Sequence, residues 1–322
     1  MMSRKALVLY SGGLDSMLAA ETLRRCGVEV IAVTFVTPFF GSGIAEEAAR
    51  IMGLKLEVSD ITREHLEILK NPRFGYGKNL NPCIDCHALM VRTALNRMEE
   101  LGADFLATGE VLGERPKSQN KQALELVARF SGAGDLLLRP LSARLLPETR
   151  PEREGWVDRD RLLDIQGRSR KRQMELAEEW GIDEYQSPAG GCLLTDPGFS
   201  RRLGEMMEKV PDFDGEDAQL IKVGRLAWAG QTLIVLGRRH DENERLIKLA
   251  LMTDLLLKER ERPGPTALLR TYPHGASPGE ESIKEAARLL GTYGKGKAPL
   301  RTDEVVEIER GTGVERPESA GE

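Results

Sequence analysis

The chain has no long apolar run. None of its hydrophobic stretches approaches the ~18 residues that a membrane span needs, and its first residues lead into a strand-like stretch without the apolar core of a signal peptide. Aromatic residues make up only 5% of the 322 residues and charged residues 30%, which is typical of globular proteins. These features predict a cytoplasmic protein without membrane contact, and the length favours two domains over one.

The chain also lacks an excess of basic residues and contains few cysteines. The formal net charge of −5 argues against a surface coated with lysine and arginine for nucleic acid, although it is compatible with a local basic patch. Arg168, Arg170, Lys171 and Arg172 form one such patch, suited to an RNA backbone, to the phosphates of ATP or simply to solvent. Four cysteines do not make a disulfide framework for a chain of this length, so metal binding or catalysis is the better interpretation.

A turn with two glycines stands between the first predicted strand and the first predicted helix. The strand ends in Ser11, Gly12 and Gly13, and Asp15 and Ser16 begin the helix. Glycine lets the main chain curl around an anion, and a helix N-terminus adds N–H donors and the positive end of a dipole. The turn therefore predicts a phosphate site. The lysine that follows the glycines in nucleoside triphosphatases is missing, as is the wider glycine spacing of dinucleotide-binding folds.

Residues 11–16, Ser-Gly-Gly-Leu-Asp-Ser, resemble the pyrophosphate loop of the ATP pyrophosphatase superfamily. Members of that superfamily cleave ATP between the α and β phosphates and leave AMP on a substrate oxygen. The resemblance implies ATP and Mg²⁺ as ligands of this turn.

Strand-like and helix-like stretches alternate through the first half of the chain. The patterns predict strands at 28–35, 54–58, 104–108 and 136–141, and helices at 43–52, at 62–70 with Thr62 as a possible N-cap, and at 88–101. This alternation is typical of an α/β fold with a doubly wound parallel sheet, which binds ligands at the carboxyl ends of its strands. His65, on the second of these helices, is interpreted as a surface residue.

A change in composition at 211–217 predicts a domain boundary. We expect an ATP-binding domain at 1–210, a second, smaller α+β domain at 211–275, and a C-terminal extension at 276–322 with a partly disordered tail. Within the second half the patterns predict strands at 222–224, 232–236 and 267–270 and a long helix at 241–259.

Three of the four cysteines form a recognisable constellation. Cys83 and Cys86 have Cys-x-x-Cys spacing just ahead of a predicted helix, and Cys192 follows a Gly-Gly pair more than a hundred residues later. Three thiolates leave a tetrahedral zinc site one ligand short, and His87 is awkwardly placed to supply the fourth. An iron–sulfur cluster with one open iron, or a persulfide relay between thiols, fits three cysteines better, while buried packing or zinc stays the plainer alternative.

The segment 81–86, Asn-Pro-Cys-Ile-Asp-Cys, resembles the Asn-Pro-x-x-x-Cys segment of the bacterial tRNA 2-thiouridine synthetases. The Ala-Thr-Gly at 107–109 and the Gly-Cys at 191–192 are similar to two further motifs of that family, so the resemblance covers roughly the first two hundred residues. Persulfide-type members usually have aspartate where this chain has Cys83. This departure makes the chain more similar to the iron–sulfur-dependent branch of the thiouridine synthetases, which includes 4-thiouridine-type enzymes.

The resemblance implies a role for each matching residue. Cys83, Cys86 and Cys192 would bind the cluster, of 4Fe-4S type, as its metal ligands and would act with Asp15 as catalytic residues. The ATP-binding residues would be Ser11, Gly12, Gly13, Asp15, Ser16, Phe35, Thr108 and Gly109.

The implied function is an ATP-dependent tRNA sulfurtransferase. It would adenylate a uridine carbonyl oxygen and replace it with sulfur at ring position 2 or 4, releasing AMP and pyrophosphate. Its partners would be tRNA and a sulfur donor, either a protein or inorganic sulfide, and an oligomer is compatible with the sequence. The alternatives are an ATP pyrophosphatase that adenylates a small molecule for sulfur or amide transfer, and a non-catalytic RNA-binding protein.

Residues 224–244 of the second half resemble the small RNA-binding module of the NFACT ribosome-associated proteins. The resemblance rests on Gly224-Arg225, on the stretch 232–238 and on Glu242-Asn243-Glu244. It implies that the small domain presents tRNA to the first domain, and a plain packing or dimerisation domain is the alternative.

Overall fold

Two units make up the chain in the computed structural model, one at Met1–Pro197 and one at Gly198–Glu322. The structure describes residues 4–185, 192–295 and 298–308. Among these residues, no helix is both long enough and apolar enough to cross a membrane.

The first unit is built on a five-stranded sheet in which every pair of neighbouring strands is parallel. The strand order is β3-β2-β1-β4-β5, which is that of a doubly wound fold. The strands are β1 (Lys5–Leu9), β2 (Glu29–Val36), β3 (Lys55–Asp60), β4 (Phe105–Thr108) and β5 (Leu137–Leu138). The helices are α1 (Leu14–Arg25), α2 (Gly43–Met52), α3 (Thr62–Lys70), α4 (Cys83–Arg97), α5 (Lys121–Ser131), α6 (Arg150–Arg153) and α7 (Lys171–Glu179).

Apolar side chains cover both faces of this sheet. Alternate residues of β1 enter two separate clusters, with Ala6 and Val8 in one and Leu7 in the other. The first cluster packs against α1 and α7, and the second against α4 and α5. Burial on both faces is what a parallel sheet requires, and it leaves the strand ends as the place for a site.

Three local expectations in this unit need correction. The helix expected at 88–101 begins earlier, at Cys83, so that Cys83 and Cys86 lie inside its first turn. Thr62 does not cap α3; instead the Asp60 side chain accepts a hydrogen bond from the Thr62 amide at 2.7 Å. His65 is buried between the rings of Phe39 and Phe40, because the apolar face of α3 packs onto the sheet.

The second unit is built on an antiparallel sheet in the order β10-β8-β9-β7-β6. Its strands are β6 (Arg225–Ala229), β7 (Thr232–Leu236), β8 (Leu255–Glu259), β9 (Thr266–Thr271) and β10 (Val305–Glu307). Its helices are α8 (Pro197–Lys209), whose first residue ends the first unit, α9 (Gly215–Leu220), α10 (His240–Leu249) and α11 (Glu280–Tyr293).

The division between the units falls before α8, whereas the sequence favoured a boundary after it. The side chain of Arg202 on α8 donates to the carbonyl oxygens of Ile221 and Gly224, which ties α8 to the second unit. Residues 276–308 also differ from the expected separate extension, since α11 packs on the second sheet and β10 pairs with β8. Residues 309–322, the end of the expected tail, lie outside the described residues.

The long helix expected at 241–259 is wrong. Helix α10 ends at Leu249, and the leucines that follow form β8, which pairs with β9. Asp254 makes the turn between them, because its carboxylate accepts the amide of Leu251 at 2.8 Å and pairs with Arg270 of β9. The partner strand therefore overrides the local helical pattern.

Candidate active site

The Ser-Gly-Gly turn lies at the carboxyl end of β1, in the middle of the sheet. Gly12 has a φ of +77°, and a Cβ placed on it would lie 2.5 Å from the carbonyl oxygen of Ile44 at the start of α2. The Ser11 hydroxyl accepts a hydrogen bond from the Gly13 amide at 3.3 Å, and the Ser16 hydroxyl donates to the Gly13 carbonyl at 2.8 Å. Only glycine fits at position 12, and the turn is fixed against the N-termini of two helices.

The end of β4 meets the same turn. A Cβ on Gly109 would lie 2.6 Å from the backbone nitrogen of Ser16, so the strand end touches the first turn of α1. Thr108 is buried beside it. Phe35, near the end of β2, has its side chain in the hydrophobic cluster on one face of the sheet, and its contact with adenine stays a prediction. The structure thus brings residues 11–16, Thr108 and Gly109 together at the centre of the sheet edge.

Asp15, in the first turn of α1, has an unusual environment. Its Oδ1 atom is buried and has no hydrogen-bond partner among the described residues. Burial raises the pKa of this carboxyl, while the Arg170 charge, the Gln173 side chain and the Arg115 charge act in the opposite direction. A carboxylate oxygen without a protein partner suits a hard cation such as Mg²⁺.

A second carboxyl, that of Glu114, belongs to the same region. Burial raises its pKa, and the negative charge of Asp15 raises it further. This coupling places the loop after β4 beside the first turn of α1. Two acidic groups and two arginines, Arg115 and Arg170, therefore face the turn that the sequence identifies as the phosphate site.

Cys83 and Cys86 share the first turn of α4. Pro82 stands at the N-cap, and the Asn81 side chain donates from Nδ2 to the Cys83 Sγ at 3.1 Å. Cys86 is the more buried of the two thiols. Burial raises its pKa well above the usual range, and the other two site cysteines and Asp85 add to the effect.

Cys192 returns to the same sheet edge. The amide of Leu193, which follows it, donates to the carbonyl of Phe39 in the loop after β2 at 3.1 Å. The Asn79 side chain donates to the Thr195 carbonyl at 2.6 Å, which ties the segment to the loop before α4. Burial raises the pKa of Cys192 to about 11, the Cys83 thiol acts in the same direction, and Arg115 lowers it. Gly191, the other residue of this motif, lies outside the described residues.

The spacing of the three sulfur atoms bears on which metal they could bind. All four cysteines are free of disulfides. Among the described residues, one group of three possible metal ligands has its ligand atoms within 4.8 Å of one another, and it is Asp214, Asp217 and His274 in the second unit. At least two of the three cysteine sulfurs are therefore more than 4.8 Å apart. Thiolates on a single tetrahedral zinc with bonds of about 2.3 Å would lie about 3.8 Å apart. The arrangement is therefore wider than that of three thiolates on one zinc ion, and the expected cluster or persulfide relay stays a prediction.

Arg115 connects the two halves of the site. Its charge lowers the pKa of both Asp15 and Cys192, so the thiols and the Ser-Gly-Gly turn have a common neighbour. Its loop is held by the Gly113 amide, which donates to the Gln119 carbonyl at 2.7 Å, and by Lys117, which donates to the Tyr76 carbonyl. The loop after β4 thus joins the turn of β1 to the cysteine segment.

A buried network behind the cysteines was missed by the sequence analysis. Glu110 accepts hydrogen bonds from Thr108 at 3.1 Å and Arg139 at 3.0 Å, and its other oxygen lies 2.9 Å from His87 Nδ1. Burial raises the pKa of Glu110, but the charges of Arg139 and His87 outweigh it and hold the value at about 2. His87 therefore faces this carboxylate. In the sequence, the glutamate that directly follows Ala-Thr-Gly at 107–109 was the one signal that could have indicated this network.

The N-terminal part of the chain is similar in sequence to several known proteins. Residues 1–144 match the family model described as "Thiamine biosynthesis protein (ThiI)". The tRNA-specific 2-thiouridylase MnmA of Xanthobacter autotrophicus is 26% identical over 215 residues, which are 61% of this chain and 52% of that protein. The protein of the same description from Clostridium acetobutylicum is 34% identical over 127 residues, covering 34% of this chain and 36% of that protein. The chain thus spans about half the length of the first relative and about a third of the second.

One similar solved structure is described as "Crystal structure of a 4-thiouridine synthetase - RNA complex with bound ATP". It is 23% identical with a TM-score of 0.39, and the match covers 67% of this chain and 53% of that chain. A TM-score this low gives the likeness no weight for function.

The parallel sheet, its strand order and the position of the Ser-Gly-Gly turn define an α/β domain with a doubly wound sheet, and the predicted fold class is confirmed. The N-terminal part of the chain is similar to the ThiI family model and to tRNA-specific 2-thiouridylases, so the resemblance noted in the sequence is confirmed there. The NFACT-like module stays a prediction.

Proposed function

We propose that the protein is an ATP-dependent tRNA sulfurtransferase. The observation that carries the proposal is the convergence of Cys83, Cys86 and Cys192 on the sheet edge that holds the Ser-Gly-Gly turn. In addition, the Arg115 charge lowers the pKa of both Asp15 and Cys192. An ATP site and a sulfur site within reach of one base are what thiolation of a uridine requires.

The reaction would have two bond exchanges. In the first, the uracil carbonyl oxygen bonds to the α phosphorus of ATP and pyrophosphate leaves, which turns a poor leaving group into a good one. In the second, a sulfur atom bonds to the ring carbon and AMP leaves with the former carbonyl oxygen. The target base would have to be turned out of its stack to reach the site.

The residues of the turn would serve the first exchange. The backbone of residues 11–13 and the N-terminus of α1 would hold the pyrophosphate, with Ser16 supporting the turn through its bond to Gly13. Asp15 would hold Mg²⁺ through its unpartnered oxygen. Thr108 and Gly109 would border the nucleoside where β4 ends.

The cysteines would serve the second exchange. A bound iron–sulfur cluster of 4Fe-4S type with one open iron would supply a site for sulfide. Cys83, Cys86 and Cys192 would hold it, and the first turn of α4 would fix two of the three. Burial disfavours the thiolate forms of Cys86 and Cys192 without metal, and a cationic centre reverses that preference.

Iron content tests the role of the cysteines. After anaerobic reconstitution with iron and sulfide, the protein should bind both, and Cys86→Ser and Cys192→Ser should lose them. Cys26→Ser is the matched control, since Cys26 ends α1 and packs against the core. Protein that binds no iron under these conditions, yet still thiolates tRNA, would exclude the cluster and favour a persulfide relay.

Thionucleoside analysis tests the substrate. The tRNA of a strain that lacks the protein should lose one thiouridine, and the wild-type chain should restore it. Unchanged thionucleosides would favour the second candidate, an enzyme that adenylates a small molecule for sulfur or amide transfer.

The second unit is proposed to bind the tRNA. Lys209 lies 5.3 Å from the ring of Trp228, and Arg225 lies 4.4 Å from the ring of the exposed Tyr293, so each aromatic ring has a cation next to it. Such pairs suit stacking of unpaired bases close to a phosphate. Weaker tRNA binding by Arg225→Ala and Trp228→Ala would support this role, and unchanged binding would contradict it.

A further inference from the structure

Buried polar atoms without partners collect beside the Ser-Gly-Gly turn. Asp15 Oδ1, Arg170 Nε and both side-chain polar atoms of Gln173 are buried, and none of them makes a hydrogen bond of ordinary geometry to the described residues, although the Gln173 side chain lies near enough to the Asp15 carboxyl to lower its pKa. Gln173 has no exposed surface at all. Buried polar groups in folded proteins are nearly always hydrogen-bonded, so three such side chains at one place indicate a missing ligand.

These atoms come from the first turns of two helices. Asp15 lies in the first turn of α1, Arg170 is the N-cap of α7, and Gln173 lies in the first turn of α7. The side chains of Arg170 and Gln173 both act on the Asp15 carboxyl, which places them next to it.

The two helices run parallel. They pack against each other, and their N-terminal residues meet at Asp15. At the other end the Arg25 guanidinium, from the last turn of α1, lies 4.7 Å from the ring of Trp180, the C-cap of α7. Their N-termini therefore lie side by side, and the positive ends of both dipoles are directed at the same place.

Most backbone N–H groups of both N-termini are free of side-chain caps. The N-cap residues Gly13 and Arg170 make no capping bond, the Ser169 hydroxyl accepts only the Lys171 amide at 3.4 Å, and the first turn of α7 contains no acidic residue. Backbone N–H groups at such ends remain available to an anion. Two helix ends, an arginine and a buried amide donor together favour a group with several negative oxygens.

We propose that Arg170 and Gln173 bind the pyrophosphate part of ATP, which lies between the N-termini of α1 and α7. The inference rests on the proposed ATP site and adds α7 as a second helix that contacts the pyrophosphate. The Arg170 guanidinium donates to phosphate oxygens, and the Gln173 amide offers one donor and one acceptor to the phosphate and its water.

This assignment gives different roles to residues of the basic patch at 168–172, for which the sequence allowed several interpretations. Arg172 is exposed and pairs with Glu175 and Glu179 along its own helix, and Lys171 pairs with Glu175. Arg170 alone of these three has a buried nitrogen without a hydrogen bond, and its charge lowers the pKa of Asp15 beside the turn. Arg172 therefore provides a matched control on the same helix with the same charge.

The test measures the binding of inorganic pyrophosphate, and separately of AMP, to the full chain by calorimetry with Mg²⁺. Arg170→Ala and Gln173→Leu should each weaken pyrophosphate binding about tenfold or more, because each removes charge-assisted or buried hydrogen bonds. Both variants should bind AMP as the unchanged protein does. Arg172→Ala should bind both ligands normally.

Thermal stability separates binding from a structural role. Gln173→Leu removes two buried polar atoms that lack partners and keeps a similar volume, so its melting temperature should be equal to or above that of the unchanged protein. A structural role for the amide predicts the reverse, a lower melting temperature with normal pyrophosphate binding, and that result would overturn the proposal.

Pyrophosphate and AMP binding distinguish a failure of the Arg170 and Gln173 assignment from a failure of the proposed ATP site. If the unchanged protein binds pyrophosphate and both variants bind it equally well, this inference is wrong and the ATP site stands. If the unchanged protein binds neither pyrophosphate nor AMP, the proposed adenylation fails together with it.

Discussion

Two single residues determine how closely the neighbouring backbone segments pack at the Ser-Gly-Gly turn. At Gly12 and at Gly109 a side chain would meet backbone atoms of a neighbouring helix turn. Neither contact can be relieved by moving a flexible side chain. The approach of β4 to the first turn of α1 therefore depends on the absence of a Cβ at position 109.

Gly109→Ala tests this dependence. The added Cβ would lie 2.6 Å from Ser16 N, so the first turn of α1 must move. We expect a loss of stability of about 1–3 kcal/mol and a fall of roughly tenfold to a hundredfold in AMP formation from ATP and tRNA. Gly264→Ala is the control, because a Cβ there meets no atom within 4 Å. Normal AMP formation by Gly109→Ala would contradict the role given to this contact.

Residues near each other in sequence were predictable, as were distant residues that match a family motif, whereas other residues joined only by folding were not. The role of Gly12 and Asp15 follows from one short stretch between a strand and a helix. Arg170 and Gln173 come to Asp15 only because α7 packs parallel to α1, which no local pattern shows. The burial of His65 likewise depends on Phe39 and Phe40 from another loop.

Among the elements, α4 has the largest effect on the sulfur site. Its first turn holds Cys83 and Cys86, and the Asp85 carboxylate between them accepts hydrogen bonds from the amides of Arg73 and Phe74, each at 3.1 Å. Asp85 thus fixes the loop before α4 to the turn that bears the thiols. The sequence placed the start of this helix too late because the two cysteines and Pro82 interrupt the apolar pattern.

Asp85→Ala should therefore free that loop. Two partly buried amide groups lose their acceptor, and we expect a loss of about 1–2 kcal/mol in the free energy of unfolding. Hydrogen exchange should show lower protection of the Arg73 and Phe74 amides and little change in β1. Glu47→Ala, which removes an exposed ion pair on α2, should leave exchange at these amides unchanged. Unchanged protection in Asp85→Ala would contradict the account.

At the scale of the whole molecule, each unit has its own core and its own buried carboxylate network. In the first unit the buried carboxylate of this network is that of Glu110. In the second, Asp217 accepts from Arg270 at 3.0 Å and from Tyr272 at 2.7 Å. Burial raises the pKa of Asp217, but His274, Arg270 and Tyr272 lower it more, to about 2.

Both networks predict the same acid sensitivity. Each carboxyl has a lower pKa in the folded protein than in the unfolded chain, so the unfolded chain binds more protons. Stability therefore falls as the pH drops to about 2, from about 4.5 for Glu110 and from about 3.8 for Asp217. Each group should contribute on the order of 2–3 kcal/mol that is lost across this window. Chemical denaturation at several pH values should show the loss in the unchanged protein and flatter curves for Glu110→Gln and Asp217→Asn. A curve for either variant as steep as that of the unchanged protein would contradict the pKa given to its carboxyl.

The central claim is that the phosphate turn and the three thiols serve one reaction on tRNA. The most direct measurement is an anaerobic assay of the reconstituted protein with ATP, sulfide and unmodified tRNA, in which AMP and thiouridine are counted together. We predict one AMP for each thiouridine, with both lost in Asp15→Asn and thiouridine lost in Cys86→Ser. Glu64→Gln, which alters an exposed first-turn carboxylate of α3, should keep both. Thiouridine formed without ATP, or AMP formed by the unchanged protein with no sulfur entering the tRNA, would contradict the claim.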